Sequence, residues 1–117
     1  MFSVWRAGAL AAIAGPRDCV QEMAASFNER RTLLTEGLLA LPGIRLLPPQ
    51  GAFYAFPDVS SLGMSDESFA ERLLEEEHVA VVPGSAFGAS GRGHVRICYA
   101  TSEERLVEAI ARIGRFA

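Results

Sequence analysis

The sequence predicts a small α/β (α+β) sandwich, with about four short strands covered by helices and a long N-terminal helix. Three observations lead there. The 117 residues fit one domain, and half of them are apolar, enough for a real core. Apolar residues recur at helical spacing in several segments and, between these, alternate or cluster in short β-branched runs. No internal repeat and no low-complexity linker divides the chain.

Residues 3–14 are alanine-rich, carry Trp5, Ala9, Ala12 and Ile13 near helical spacing, and stop at Gly15-Pro16, so a short helix is expected. Pro16 suits the first turn of a second helix. Val20, Met23, Phe27, Leu34, Leu38 and Leu41 mark its apolar stripe, which runs to Pro42-Gly43. A helix of about 25 residues is long for so small a domain, and suggests bracing against something larger.

Residues 44–47 and 52–56 read as short strands in a hairpin-like pair, separated by Pro48-Pro49-Gln50-Gly51. After a loop over 57–63, Ser65 is placed to cap a helix with Asp66 and Glu67 in its first turn, where the dipole favours negative charge. Phe69, Leu73 and Leu74 form its expected buried face. The run Val79-Ala80-Val81-Val82 suits a strand covered on both faces or at a sheet centre, and ends at Pro83-Gly84.

A glycine-rich loop then leads into the strand that begins near Gly93 and ends at about Ala100. Val95, Ile97 and Tyr99 alternate with His94, Arg96 and Cys98, which puts the apolar side chains on one face and the arginine on the other. Thr101 and Glu104 have capping-box spacing at the start of the last helix. Its apolar face is Leu106, Ala109, Ile110, Ile113 and Phe116, with Arg112 and Arg115 near the negative end of the dipole.

Composition removes several classes of function. The formal charge is −3 with no basic run, so the electrostatic footprint of a nucleic-acid binder is missing. No apolar segment approaches the roughly 20 residues that a membrane-crossing helix requires. Residues 1–13 have a single arginine and an alanine-rich apolar run, unlike a signal peptide, so a cytoplasmic location is expected. Cys19 and Cys98 match no metal spacing, the histidines are only two, and no metal site is expected; the thiols read as reduced and structural. All 11 basic residues are arginines, and the chain has no lysine.

Arg96 is the candidate site residue. A guanidinium on a rigid strand offers two parallel donors that match both oxygens of a carboxylate. The alternative is an arginine facing solvent or paired with a nearby Asp or Glu. Residues 83–93 lack both the P-loop and the dinucleotide patterns, which favours an ordinary connection or a lid over a phosphate cradle. His78 and His94 lack a sequence-local partner and read as structural, as does Cys98. Phe53, Tyr54 and Phe56 read as core or interface aromatics, and one beside Arg96 would line a pocket.

Three segments together resemble the C-terminal small domain of the class I and II aminotransferases, the fold-type I pyridoxal-phosphate enzymes related to aspartate aminotransferase. They are Gly51-Ala52-Phe53-Tyr54-Ala55-Phe56-Pro57-Asp58, Val81-Val82-Pro83-Gly84-Ser85-Ala86-Phe87-Gly88 and Val95-Arg96-Ile97-Cys98-Tyr99-Ala100-Thr101-Ser102-Glu103. The helix ending in Leu41-Pro42-Gly43-Ile44 resembles the segment that enters this domain, so the likeness covers nearly the whole chain.

The resemblance implies that Arg96 pairs with the α-carboxylate of an amino acid or 2-oxo acid. It also implies that residues 1–15 belong to the junction with a missing large domain and 16–117 to the small domain. Pyridoxal 5'-phosphate, the cofactor of the complete family enzyme, is held there by a lysine, and a chain without lysine cannot hold it that way. No catalytic or cofactor-binding residue is therefore expected in this chain. The expectation is a C-terminal domain or truncated form, inactive alone, that needs the cofactor-binding domain as partner and self-associates through the surface left uncovered. The alternative is a non-enzymatic module of the same fold that binds small acids, interacts with protein or dimerises.

Overall fold

The computed structural model describes residues 3–117; Met1 and Phe2, the start of the expected 1–15 segment, lie outside the described residues. The chain forms α1 (Val4–Ala14), α2 (Asp18–Leu39), β1 (Tyr54–Ala55), α3 (Asp66–Glu77), β2 (Val82–Pro83), β3 (Val95–Cys98) and α4 (Glu103–Phe116).

The sheet has three strands among the described residues, not about four, in the antiparallel order β1-β3-β2. Residues 44–47 do not form the fourth. Only Arg45 bridges, to Asp58, because Pro48 and Pro49 bring no N–H to a ladder and turn the chain away. The central strand is β3, and β2 lies at the edge rather than at the centre. Pro83 cannot donate to a second neighbour, which suits an edge position.

Alternation along β3, which ends at Cys98 rather than near Ala100, places Val95 and Ile97 in the core, with Tyr99 just past its end and Ala55 of β1 beside them. Leu34 and Leu38 of α2, Phe69 and Leu73 of α3, and Leu106 and Ile113 of α4 complete that core, so the helices cover this one face. The opposite face of β3 carries half-buried Arg96 and exposed Cys98. Helices α2 and α4 approach closely at Gly37, where a Cβ would stand 2.6 Å from Ile110 Cδ1. α3 and α4 meet through the edge-to-face pair Phe69–Phe116 and through Arg112, which donates to the Glu77 carbonyl at 3.0 Å.

Ser65 caps α3 as its sequence predicts, accepting from Ser68 N–H at 3.1 Å. Leu74, expected in the core, is instead exposed, because the buried face of α3 runs through Asp66, Phe69, Ala70 and Leu73, and Leu74 lies about a further 100° round the helix. α4 starts one residue later than the capping-box spacing suggests. Ser102 is the cap, accepting from Arg105 N–H, while the Thr101 carbonyl is tied to α2 by Arg30 at 3.1 Å.

The N-terminal third departs from a compact shape. The radius of gyration is 17.4 Å and the long dimension 57 Å, whereas a compact domain of this length has a radius near 13 Å. Every residue of α1 is exposed, including Trp5, Leu10 and Ile13. Val20 and Met23 of α2 are exposed as well, so the apolar stripe of α2 enters the core only from its second half. An 11-residue helix without tertiary cover is marginal in water. Among the described residues, no helix is long and apolar enough to cross a membrane.

Candidate functional site

The open face of β3 holds the candidate site. Four arginines are half-buried in the described structure: Arg30, Arg31, Arg96 and Arg112. Three donate to fixed carbonyls, Arg30 to Thr101, Arg31 to Pro49 and Arg112 to Glu77. Arg96 differs. Its guanidinium lies 4.4 Å from the ring centroid of Tyr54 and 4.7 Å from that of Phe87, with no hydrogen bond or ion pair to a described residue. Ring faces attract the cation but leave its in-plane N–H groups unspent. The chemistry on offer is a positively charged, bidentate donor held by two rings, which suits a planar anion such as a carboxylate.

Each ring is fixed by its own local structure. Tyr54 lies on β1, whose register pairs it with Cys98 and so places it diagonal to Arg96, within reach of long side chains. The turn before β1 is tied down by Tyr99, whose hydroxyl donates to the Ala52 carbonyl at 3.0 Å and whose N–H donates to the Phe53 carbonyl at 2.9 Å. Ala52 is held at φ 57°, a left-handed conformation uncommon for a residue with a Cβ. Burial raises the Tyr99 hydroxyl above its usual range, keeping it a neutral donor.

Phe87 lies on the loop 84–93, which leaves β2 and returns to β3. Its neck is a backbone contact. A Cβ on Gly84 would stand 2.0 Å from the Gly91 oxygen, and one on Gly91 would stand 2.1 Å from the Gly84 oxygen, so both positions need glycine. Gly84 N–H donates to the His94 carbonyl at 2.7 Å. Asp66 joins the neck from α3: one carboxylate oxygen accepts from Ser85 N–H at 2.9 Å and the other from Gly93 N–H at 3.3 Å. Asp66 is only 5% exposed, and these bonds, Ser85 first, hold its carboxyl below the usual carboxylate range against the opposing effect of burial. At the tip, Phe87 meets Phe56 edge to face, and Phe56 stacks on His94.

Beside this cluster, Asp58 accepts from the Ser60 hydroxyl and N–H and pairs with Arg45 at 3.0 Å. The Ser60 hydroxyl bond is the main reason that its carboxyl also lies below the usual range.

Of the residues that the sequence singles out, Arg96 and Tyr54 come together. His78 does not join them; it closes α3 in a left-handed conformation at φ 57°. His94 stacks on Phe56, and both cysteines are free and exposed. Among the described residues, no group of three His, Cys, Asp or Glu side chains could hold a metal ion. Phe87 and Asp66 were not legible as site residues. Phe87 sits in a motif whose pose depends on the loop, and Asp66 looks like an ordinary first-turn acid.

Fold and site together define a small α/β domain with a half-buried arginine, held by two aromatic rings, on the sheet face opposite the helices. The particular family follows from comparison with known proteins. The family model for aminotransferase class I and II matches residues 2–113, and the chain belongs to that family. It is similar to an aspartate aminotransferase of Pyrococcus horikoshii, 53% identical over 96 residues that make up 82% of this chain and 25% of that protein. It is 45% identical over 122 residues to an aspartate aminotransferase of Rhizobium meliloti, covering 96% of this chain and 29% of the relative. Among solved structures, alanine aminotransferase from Pyrococcus furiosus superposes with a TM-score of 0.89 at 38% identity, covering 92% of this chain and 28% of that one. The chain thus spans between a quarter and three tenths of these relatives.

The family implies pyridoxal phosphate in a full-length member, but this chain's residues alone do not fit the group. They include no lysine amine. In the glycine-rich loop, the Ser85 and Gly93 N–H groups already donate to Asp66 rather than standing free for a phosphate.

Proposed function

We propose that this chain is the substrate-carboxylate portion of a pyridoxal-phosphate-dependent aminotransferase. Arg96 forms the bidentate pair with an amino acid or 2-oxo acid, and a lysine-bearing domain completes the site. The observation that carries this reading is the unspent guanidinium: half-buried, held between Tyr54 and Phe87, and without an acidic partner among the described residues. Residues 16–117 are the small domain in this account, and residues 1–15 belong to the junction with the cofactor-binding domain.

The exposed Trp5, Leu10 and Ile13 support a further surface packed there, from that domain or from a second copy of the chain. Alone, the chain transfers no amino group, because it has no lysine to hold the cofactor. A non-enzymatic acid-binding module is the second reading, favoured by the same open arginine.

The test is substitution of this chain for the matching segment of the Pyrococcus horikoshii relative, followed by kinetics with and without Arg96→Ala. Transamination that depends on Arg96 supports the first reading. Saturable, Arg96-dependent uptake of a 2-oxo acid by the lone chain, together with an inactive chimera, supports the second.

A further inference from the structure

We infer that Asp66 is a positioning residue for the Arg96 site: its carboxylate fixes the neck of the 84–93 loop, and the loop in turn lays Phe87 against the guanidinium. The inference rests on the carboxylate-recognition reading for what the site binds, but its geometry stands on this chain alone. Asp66 is not needed as the helix cap, since Ser65 already accepts from Ser68 N–H. Both of its oxygens instead reach across the fold, to amides 19 and 27 residues away that close the two ends of one loop. It makes no ion pair with a described residue, so those amides are what makes its burial tolerable.

The loop contributes little to the core. Phe87 at its tip is half exposed, and its ring packs against Arg96 and Phe56. Fixing the neck therefore fixes a ring whose use is at the arginine. A guanidinium with one ring against it instead of two samples more orientations, and a bidentate donor loses most when its orientation is loose.

Nuclear magnetic resonance of the 117-residue chain tests this directly, because the Arg96 Nε–H and δ-methylene protons lie in the ring currents of Tyr54 and Phe87. Phe87→Ala should remove the part of their upfield displacement that Phe87 causes. Asp66→Asn should remove the same part, and in the Phe87→Ala background it should remove nothing further. The Val95 and Ile97 methyl signals should stay in place throughout. Unchanged Arg96 signals in Asp66→Asn, or an effect that adds in full to that of Phe87→Ala, would overturn the inference.

Asp66→Ser is the second variant, since a first-turn serine is compatible with the helix. Loss of the Val95 and Ile97 signals in both variants would also overturn the inference, because the carboxylate would then be holding the fold and not the arginine. No ligand enters these spectra. If the chimera kinetics fail to depend on Arg96, the carboxylate reading falls while the Asp66–Phe87 coupling can still be present, and the converse outcome is equally distinct.

Discussion

Gly84→Ala tests the loop neck on which the arrangement around Arg96 depends. The added Cβ would meet the Gly91 oxygen at 2.0 Å and the His94 oxygen at 2.7 Å. An ordinary carbon–oxygen contact is about 3.3–3.6 Å, so the two backbones must separate by roughly 1.3 Å or more. Neither is free to yield. Gly84 N–H is bound to the His94 carbonyl at 2.7 Å, and the amides flanking the neck are bound to Asp66.

Overpacking of this kind costs about 1–3 kcal/mol, and loss of the Gly84–His94 bond adds about 1 kcal/mol. The expected total is about 2–4 kcal/mol. At about 2.1 cal/mol/K of unfolding entropy per residue, that is a fall in Tm of roughly 8–16 °C for this chain. Differential scanning calorimetry gives the number directly. Gly51→Ala is the control, because nothing stands within 4 Å of its added Cβ, and it should shift stability by no more than about 0.5 kcal/mol. A Gly84→Ala protein that melts within about 2 °C of the parent would refute the close-neck argument.

Two further predictions concern the supports of the site. Tyr99→Phe removes the hydroxyl that donates to the Ala52 carbonyl and should destabilise by about 1 kcal/mol in urea titrations; no change in midpoint would show that the strained turn holds without it. For pH, Asp58 and Asp66 both have folded carboxyls shifted below the ordinary range, so their stabilisation is fully present above about pH 4 and is lost as pH falls through the folded values. The denaturant midpoint should therefore drop on acidification below pH 4 and drop less in the double variant Asp58→Asn, Asp66→Asn; an equal drop would place the acid sensitivity elsewhere.

Much of the fold is legible where local chemistry and burial agree. Strict alternation in β3 identified its buried face, because a strand covered by helices on one side imposes period two on its residues. Ser65 was legible as a cap for the same reason, since an orphan N–H three residues on needs an acceptor. Where two residues could perform the same task, sequence did not decide. Thr101 and Ser102 both carry cap hydroxyls, and the contact from Arg30 to the Thr101 carbonyl selects the second. The apolar stripe of α2 is continuous in sequence, yet Leu34 and Leu38 are buried while Val20 and Met23 are exposed, because periodicity reports an apolar face without reporting what lies against it.

Arg96 was legible as a candidate from its place on an alternating strand, and the family resemblance gave it a role. Its surroundings were not legible. Tyr54 reaches it through strand register, Phe87 through a loop closed by two glycines, and Asp66 through bonds to amides distant in sequence. Such contacts belong to the folded topology and leave no local pattern.

The central claim is that Arg96 recognises the carboxylate, and kinetics of the chimera with the Pyrococcus horikoshii relative test it most directly. Removing one partner of a hydrogen-bonded charge pair costs about 2–5 kcal/mol, so Arg96→Ala should lower kcat/KM by about 30-fold or more, with a rise in KM. Arg96→Lys should fall between, since an ammonium keeps the charge and loses the fork. An active chimera whose Arg96→Ala variant keeps kcat/KM within about threefold of its parent would contradict the account.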